Sequence, residues 1–339
     1  MRVAVIGAGS WGTTVAALAT QNATDVVLWA RRPELAAAIM TGHENPDYLP
    51  GHELPGTLRA SADLGEALEG ADAVVLAVPS HGFRAVLTEA RPHVPDDALV
   101  VSLSKGLEQG TLLRMTEVVQ DVLPGRPDGR TGVLTGPNIA GEVMAGMPTA
   151  SVVAMGDVGC AEDVQRLFMT ATFRVYTNPD VVGCEIAGVV KNVVAIAAGI
   201  AQGLGCGDNA RAALITRGLA EVTRLGVAVG GNLLSFLGLA GIGDLVVTCT
   251  SSESRNRHVG EELGRGRPLR DILDEMSMVA EGVRSTASVL ALAERAGVEM
   301  PIAEQVHAVL TGDRSPAEAV AALMLRQAKA ELEGIEIAP

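Results

Sequence analysis

MRVAVIGAGSWGTTVAALATQNATDVVLWARRPE, residues 1–34, decides the fold. An apolar run at 3–6 breaks on a glycine, helix-like sequence follows over 10–20, and a second apolar run occupies 25–29. That order, strand, turn, helix, strand, is a βαβ unit. The turn carries Gly7, Gly9 and Gly12 in the spacing GxGxxG, directly after the strand and opening the helix. Gly7 permits a tight turn, Gly9 lets a pyrophosphate approach the backbone, and Gly12 lets helix and strand pack closely. The helix N-terminus offers N–H groups and a positive dipole end to phosphates. The implied fold is a Rossmann-type doubly wound sheet, and the implied ligand is a dinucleotide.

The end of the second strand carries the choice of dinucleotide. A site preferring NAD holds the ribose 2′-hydroxyl with an acid about 20 residues past the glycines. Here the strand runs into Ala30, Arg31, Arg32 and Pro33, and the first acid, Glu34, already lies in the next helix. Arginines suit a 2′-phosphate through charge-assisted hydrogen bonds. NADP(H) is therefore the favoured cofactor and NAD(H) the alternative, and a solvated turn is the plain reading of the same two arginines.

Outward from this unit, further apolar runs fall at 73–78, 99–103, 131–134, 150–154 and 174–176, with helical periodicity at 34–41 and 111–122 between some of them. They extend a parallel sheet. Residues 42–57, with three prolines and two histidines, read as an irregular surface excursion. Beyond Pro179 the periodicity is helical, at 181–204, 210–225, 257–264, 268–276, 285–296 and 315–325. Two domains are expected: a dinucleotide-binding domain over 1–180 and an all-α substrate and catalytic domain over 181–339.

Composition narrows the function classes. The chain has 339 residues, 48% hydrophobic and only 2% aromatic, so aliphatic side chains must build its core. A formal net charge of −14 argues against nucleic acid or an anionic membrane surface as partner. Cys160, Cys184, Cys206 and Cys249 are dispersed, without CxxC or pairing with histidine. No disulfide framework or metal is expected, and a reducing cytoplasm is the expected location. No signal peptide is expected, since the first strand begins at residue 2. The long apolar stretch 186–204 holds Lys191, Asn192 and Gln202, which suits a buried helix better than a membrane span. His81 and His258 read as surface or structural residues.

Three segments carry candidate chemistry. In EIAGVVKNVVA, 185–195, Gly188, Lys191 and Asn192 share one helix face. A lysine among aliphatic neighbours is desolvated toward the range where it transfers protons. The competing reading is a lysine that snorkels to the surface. Downstream, Gly241–Gly243 precede Asp244, which could pair with Lys191 or hold a substrate hydroxyl. Ser254, Arg255 and Asn256 then stand at a helix start, where N–H groups, a hydroxyl, an amide and a guanidinium make a phosphate site. An ordinary capped helix is the alternative. Lys105 and Gly136 follow strands at their carboxyl ends, where open α/β sheets place ligands. Two rival readings stay open on residues alone: a reductase of 3-hydroxyacid or ketopantoate type, and a non-catalytic dinucleotide sensor.

Taken together, the chain resembles the bacterial NAD(P)-dependent glycerol-3-phosphate dehydrogenases. The matching stretches are GAGSWGTTVA at 7–16, SLSKGLE at 102–108, GPNIAGEV at 136–143 and EIAGVVKNVVAIAAGIAQGL at 185–204. GDNARAALITRGLAE at 207–221, GLAGIGDLVVTCTSSESRNRHVG at 238–260 and VAEGVRS at 279–285 continue them in order. The resemblance implies reversible reduction of dihydroxyacetone phosphate to sn-glycerol 3-phosphate for glycerophospholipid synthesis, by a homodimer. It implies Lys191 as proton donor or acceptor, with Lys105, Gly136, Lys191, Asp244, Ser254, Arg255 and Asn256 on substrate. It implies cofactor contacts at Ser10, Trp11, Arg31, Arg32, Lys105, Ala140, Arg255, Val279 and Glu281, beside the three glycines. One departure stands out: the family's Gly-Pro is usually followed by Ser or Thr, and here Asn138 follows Pro137.

Overall fold

The computed structural model describes residues 1–127, 129–276, 278–328 and 330. It divides into two compact units, Met1–Lys105 with Leu113–Val181, and Gly106–Leu112 with the chain from Val182 onward. The end of the expected helical domain, 331–339, lies outside the described residues.

The strands of the first unit are β1 (Arg2–Ile6), β2 (Asp25–Trp29), β3 (Glu44–Asn45), β4 (Leu49–Glu53), β5 (Leu58–Ser61), β6 (Ala73–Leu76), β7 (Leu99–Ser102), β8 (Thr131–Thr135), β9 (Thr149–Met155) and β10 (Phe173–Asn178). Its helices are α1 (Ser10–Ala19), α2 (Pro33–Gly42), α3 (Leu64–Leu68), α4 (Phe83–Ala90), α5 (Met115–Val122), α6 (Ala140–Met144) and α7 (Val158–Phe168). Eight strands form one sheet in the order β10-β9-β8-β7-β6-β1-β2-β5. Alternate residues enter opposite cores. Val3, Val5, Val26 and Leu28 pack with Val15 of α1, Leu35 of α2 and Val164 of α7. Ala4, Ile6, Val27 and Trp29 pack with Leu68 of α3, Phe83 of α4 and Met115 of α5. Burial on both faces is why these strands read as unbroken apolar runs, and it makes the sheet doubly wound.

The sheet departs from the sequence reading in four places. β9 runs antiparallel to β8, with Thr135 opposite Val152, so the sheet is mostly rather than wholly parallel. Between them α6 has five residues. At ~1.5 Å per residue it covers about half the length of a strand rising ~3.3 Å per residue. The equally short α3 joins the parallel strands β5 and β6, so helix length alone does not set the direction of β9. β5 extends the sheet beyond β2 although its sequence, Leu-Arg-Ala-Ser, lacks an apolar run. Residues 42–57 are not irregular throughout, since β3 and β4 pair as a small antiparallel ribbon. The helix expected from 111 starts at Met115, because Leu112 takes a left-handed φ of 63° and Leu107 packs into the core of the second unit.

The described part of the second unit is helical: α8 (Val181–Gly203), α9 (Asp208–Ala228), α10 (Leu233–Phe236), α11 (Asp244–Thr250), α12 (Arg255–Gly264), α13 (Leu269–Glu275), α14 (Glu281–Ala296), α15 (Pro301–Thr311) and α16 (Pro316–Met324). α8 is the core helix. Among the described residues two segments are long and apolar enough to cross a membrane, Val181–Gly203 and Leu233–Thr250. The first is 89% buried inside the fold. The second is broken at Gly241, whose φ of −89° and ψ of −105° are not helical. α8 and α12 cross on glycine. A Cβ on Gly260 would stand 2.0 Å from the Ile196 carbonyl oxygen, and one on Gly199 2.0 Å from that of Arg257. This close approach sets the start of α12 against the face of α8 that bears Lys191 and Asn192.

Candidate active site

In the first unit the glycine turn separates two kinds of glycine. Gly7 has φ +119°, and a Cβ there would meet the Ala77 carbonyl oxygen at 2.6 Å. A Cβ on Gly12 would meet the Gly7 carbonyl oxygen at 2.0 Å. Both are required by packing of the chain on itself. A Cβ on Gly9 would meet nothing within 4 Å. The protein's own packing leaves that position open, which fits a group arriving from outside against the backbone, as a pyrophosphate does. Gly9 is also the N-cap of α1 and makes no side-chain cap, so the positive end of the helix dipole faces this turn. Ser10 donates its hydroxyl to the Tyr48 carbonyl (2.6 Å), and Trp11 packs against Phe173 with ring centroids 6.2 Å apart.

At the end of β2 both arginines are exposed, and their surroundings differ. Arg32 is ion-paired with Asp47 and lies over the Tyr48 ring, 5.7 Å from its centroid. Arg31 enters no ion pair among the described residues. Lys105, after β7, donates to the Gly136 carbonyl (3.3 Å), which brings these two expected substrate residues together. Asn138 donates its amide N–H to Ser151 Oγ (3.1 Å), and Ser151 donates to the Thr135 carbonyl (2.7 Å). Asn138 therefore braces the turn after β8, while its buried Oδ1 and the Thr135 hydroxyl have no hydrogen-bond partner among the described residues. Ala140 opens α6 and is partly exposed.

The second unit holds a buried charged constellation. Lys191 on α8 is 5% exposed and Asp244 at the start of α11 is 1% exposed. Lys191 Nζ donates to Asp244 Oδ1 and to Thr248 Oγ1, both at 2.6 Å. Thr248 donates its own proton to the Asp244 carbonyl (2.6 Å), which leaves its oxygen lone pairs directed at the lysine. The ammonium is thus buried and does not snorkel to the surface. A buried ion pair needs such added hydrogen bonds to offset desolvation. Thr248 escaped the sequence reading, although its spacing of four from Asp244 on a helix was a usable signal. Neighbouring Cys249 is fully buried, and burial pushes its thiol up to about 12, with Lys191 pulling the other way.

Beside this pair, Asn192 and Asn256 tie three helices together. Asn256 Nδ2 donates to Asn192 Oδ1 (3.0 Å), Asn256 Oδ1 accepts the Gly282 N–H (2.9 Å), and Asn192 Nδ2 donates to the Gly188 carbonyl (3.2 Å). The Asn256 side chain is occupied within the fold, which leaves its main-chain N–H at the start of α12 for a ligand. Ser254 caps that helix by accepting the Arg257 N–H at 3.3 Å. Arg255 is exposed, whereas Arg257 is buried and bonded to the Ser251 carbonyl, Gln202 and Glu261. Val279 is partly exposed, and Glu281 opens α14 with its charge acting on Arg255. Among the described residues no group of three His, Cys, Asp or Glu side chains could hold a metal ion.

A doubly wound sheet with a dinucleotide turn, followed by a helical unit carrying a buried lysine–aspartate pair, defines a class: the two-unit nicotinamide-dependent dehydrogenases. Comparison with known proteins makes the assignment specific. Residues 2–161 match the family model described as NAD-dependent glycerol-3-phosphate dehydrogenase N-terminus, and residues 180–321 match its C-terminus. The chain belongs to the NAD-dependent glycerol-3-phosphate dehydrogenase family, oxidoreductases that act on a CH–OH group with NAD(P). It is 55% identical to the glycerol-3-phosphate dehydrogenase (NAD(P)+) 2 of Sphingopyxis alaskensis over 93% of each chain. It is 51% identical to that of Syntrophotalea carbinolica, over 98% of this chain and all of the other. The glycerol-3-phosphate dehydrogenase structure from Coxiella burnetii superposes with a TM-score of 0.91 at 40% identity, covering 96% of this chain and 99% of that one. A ketopantoate reductase from Ralstonia eutropha, at 20% identity and a TM-score of 0.58, shares the fold alone.

Proposed function

We propose that this chain reversibly reduces dihydroxyacetone phosphate to sn-glycerol 3-phosphate, with NADP(H) as the favoured cofactor and NAD(H) as the alternative. The observation that carries this reading is the buried Lys191 ammonium held between Asp244 and Thr248. In this reading residues 1–180 bind the cofactor and 181–339 supply the catalytic and most of the substrate-binding groups. The turn at Gly7, Gly9, Ser10, Trp11 and Gly12 takes the pyrophosphate, and Arg31 and Arg32 lie where the adenosine ribose falls. Lys105, Ala140, Arg255, Val279 and Glu281 complete the cofactor contacts. The working assembly is a homodimer in the cytoplasm, without nucleic acid and without membrane insertion. Its product serves glycerophospholipid synthesis.

The bound reduced nicotinamide supplies the hydride. The protein's part is to make the ketone carbon electrophilic and to deliver a proton to its oxygen. Lys191 does both: its ammonium polarises the carbonyl and then gives up a proton, so that C=O becomes CH–OH. Asp244 stabilises the ammonium before transfer, and Thr248 fixes the direction of Nζ. In oxidation the same nitrogen, neutral, takes the proton back. Lys105, Gly136, Asp244, Ser254, Arg255 and Asn256 bind substrate. The phosphate, held by the start of α12 and by Arg255, contributes binding energy remote from the reacting carbon and so orients it. A ligand bearing a carboxylate in place of phosphate would not use that helix start in the same way.

Lys191→Ala tests the assignment. Turnover is expected to fall by about three orders of magnitude, with the Kd for NADPH unchanged within twofold. Removing the lysine leaves Asp244 buried without its partner, which lowers stability, so the cofactor Kd also serves as the check of folding. Turnover within tenfold of the parent would remove Lys191 from the mechanism.

A further inference from the structure

β2 ends without an acid of its own, yet a carboxylate stands there. Asp47 reaches Arg32 from the connection between β3 and β4, 15 residues further along the chain. That connection is fastened to the glycine turn. Asn45, fully buried, donates to the Ala8 carbonyl (2.9 Å) and to Thr13 Oγ1 (2.8 Å). Its Oδ1 accepts the Tyr48 N–H (3.1 Å), and the Tyr48 carbonyl accepts the Ser10 hydroxyl (2.6 Å). The loop bearing Asp47 is therefore held by the same residues that form the phosphate turn.

We propose that Asp47 is the specificity-determining residue that sets the balance between NADP(H) and NAD(H). The inference rests on the reading of the glycine turn as the pyrophosphate site, which places the adenosine ribose over the carboxyl end of β2. The two cofactors differ there by one phosphate of about −1.5 to −2 charge at neutral pH. Asp47 opposes that phosphate in two ways: it engages Arg32, and its own charge repels the incoming anion. It favours the alternative in a third way, as an acceptor for a free 2′-hydroxyl. Arg31, exposed and outside any ion pair among the described residues, supplies the cation that still attracts the phosphate. The ribose end thus offers one uncommitted cation and one neutralised pair, a composition that admits both cofactors. Glu34, at the start of α2, adds a second negative charge acting on Arg32 and works in the same direction.

Titration of tryptophan fluorescence with NADPH and with NADH, on the full-length chain and without substrate, tests this. Asp47→Asn keeps the shape and removes the charge, and Asp47 is exposed, so the variant is expected to fold. The ratio of Kd for NADH to Kd for NADPH should rise about five- to tenfold, through tighter NADPH and weaker NADH. Asp47→Glu should return it toward the parent value, and Arg31→Ala should weaken NADPH without weakening NADH. A ratio within twofold of the parent would overturn the inference. So would two constants moving together, as a merely structural role in the loop would produce. A parent chain that bound neither dinucleotide would overturn the proposed function itself; binding of both with an unmoved ratio overturns only the role of Asp47.

Discussion

Gly9 and Gly12 stand three residues apart and answer to different demands. Gly12 is glycine because the Gly7 carbonyl leaves no room for a Cβ, and Gly9 has open space beside it. Gly9→Ala is therefore expected to leave Tm within about 2 °C of the parent while weakening dinucleotide binding at least tenfold. Gly12→Ala should lower Tm, as overpacking costs about 1–3 kcal/mol. Thermal melts beside cofactor titrations check both, and equal loss of stability in the two variants would contradict the distinction. Features that depend on near neighbours in sequence were legible: the tight glycine turn, the exposed arginines after β2 and the burial of the lysine among aliphatic residues. The contacts of Thr248 with Lys191, Asn192 with Asn256 and Asp47 with Arg32 were not, because each joins two elements. Asn256 shows the converse. Its type and place suggested a side-chain contact to phosphate, and packing spends that side chain on Asn192 and the Gly282 N–H.

Helices and strands were read well where their periodicity was complete and poorly where pairing and direction were at stake. β9 runs antiparallel to β8, a direction that the apolar pattern of β9 does not carry, because an apolar run reads the same either way. β5 shows the same limit, since an edge strand of four residues with Arg59 at its centre has no apolar signature. In the helical unit, Glu221 on α9 caps α15, accepting the N–H groups of Ile302 (2.7 Å) and Ala303 (3.4 Å). Burial pushes its carboxyl up from the usual 4.5 to about 7, against the pull of those N–H donors and of Arg224. The unfolded chain releases this proton near pH 4.5 and the folded one near 7. Its contribution is thus fully present below the lower value and lost as pH rises through the upper one, an effect of about 3 kcal/mol at most. Glu221→Gln should abolish the dependence: relative to the variant, the parent should lose roughly 6 °C in Tm between pH 4 and pH 8. A parent and variant whose melting curves stay parallel across that range would show that the carboxyl does not titrate there.

On the scale of the whole molecule, each compact unit carries its own sequence signature. Alternating strands and helices, apolar on both sheet faces, mark the first, and helical periodicity around the glycine-rich α8 marks the second. The segment 106–112 was misplaced, because it leaves the first unit to pack Leu107 with helices far along the chain. With a net charge of −14, the protein as a whole repels anions, so if the proposed phosphorylated substrate is held by local cations its affinity should fall as ionic strength rises. The central claim is that a phosphorylated ketone is reduced, and the initial rate of NADPH oxidation with dihydroxyacetone phosphate, beside unphosphorylated dihydroxyacetone, tests it most directly. Rapid oxidation with the phosphorylated ketone, and kcat/KM lower by at least about three orders of magnitude without the phosphate, is the expected result. Equal rates with the two ketones, or none with either while NADPH still binds, would contradict it.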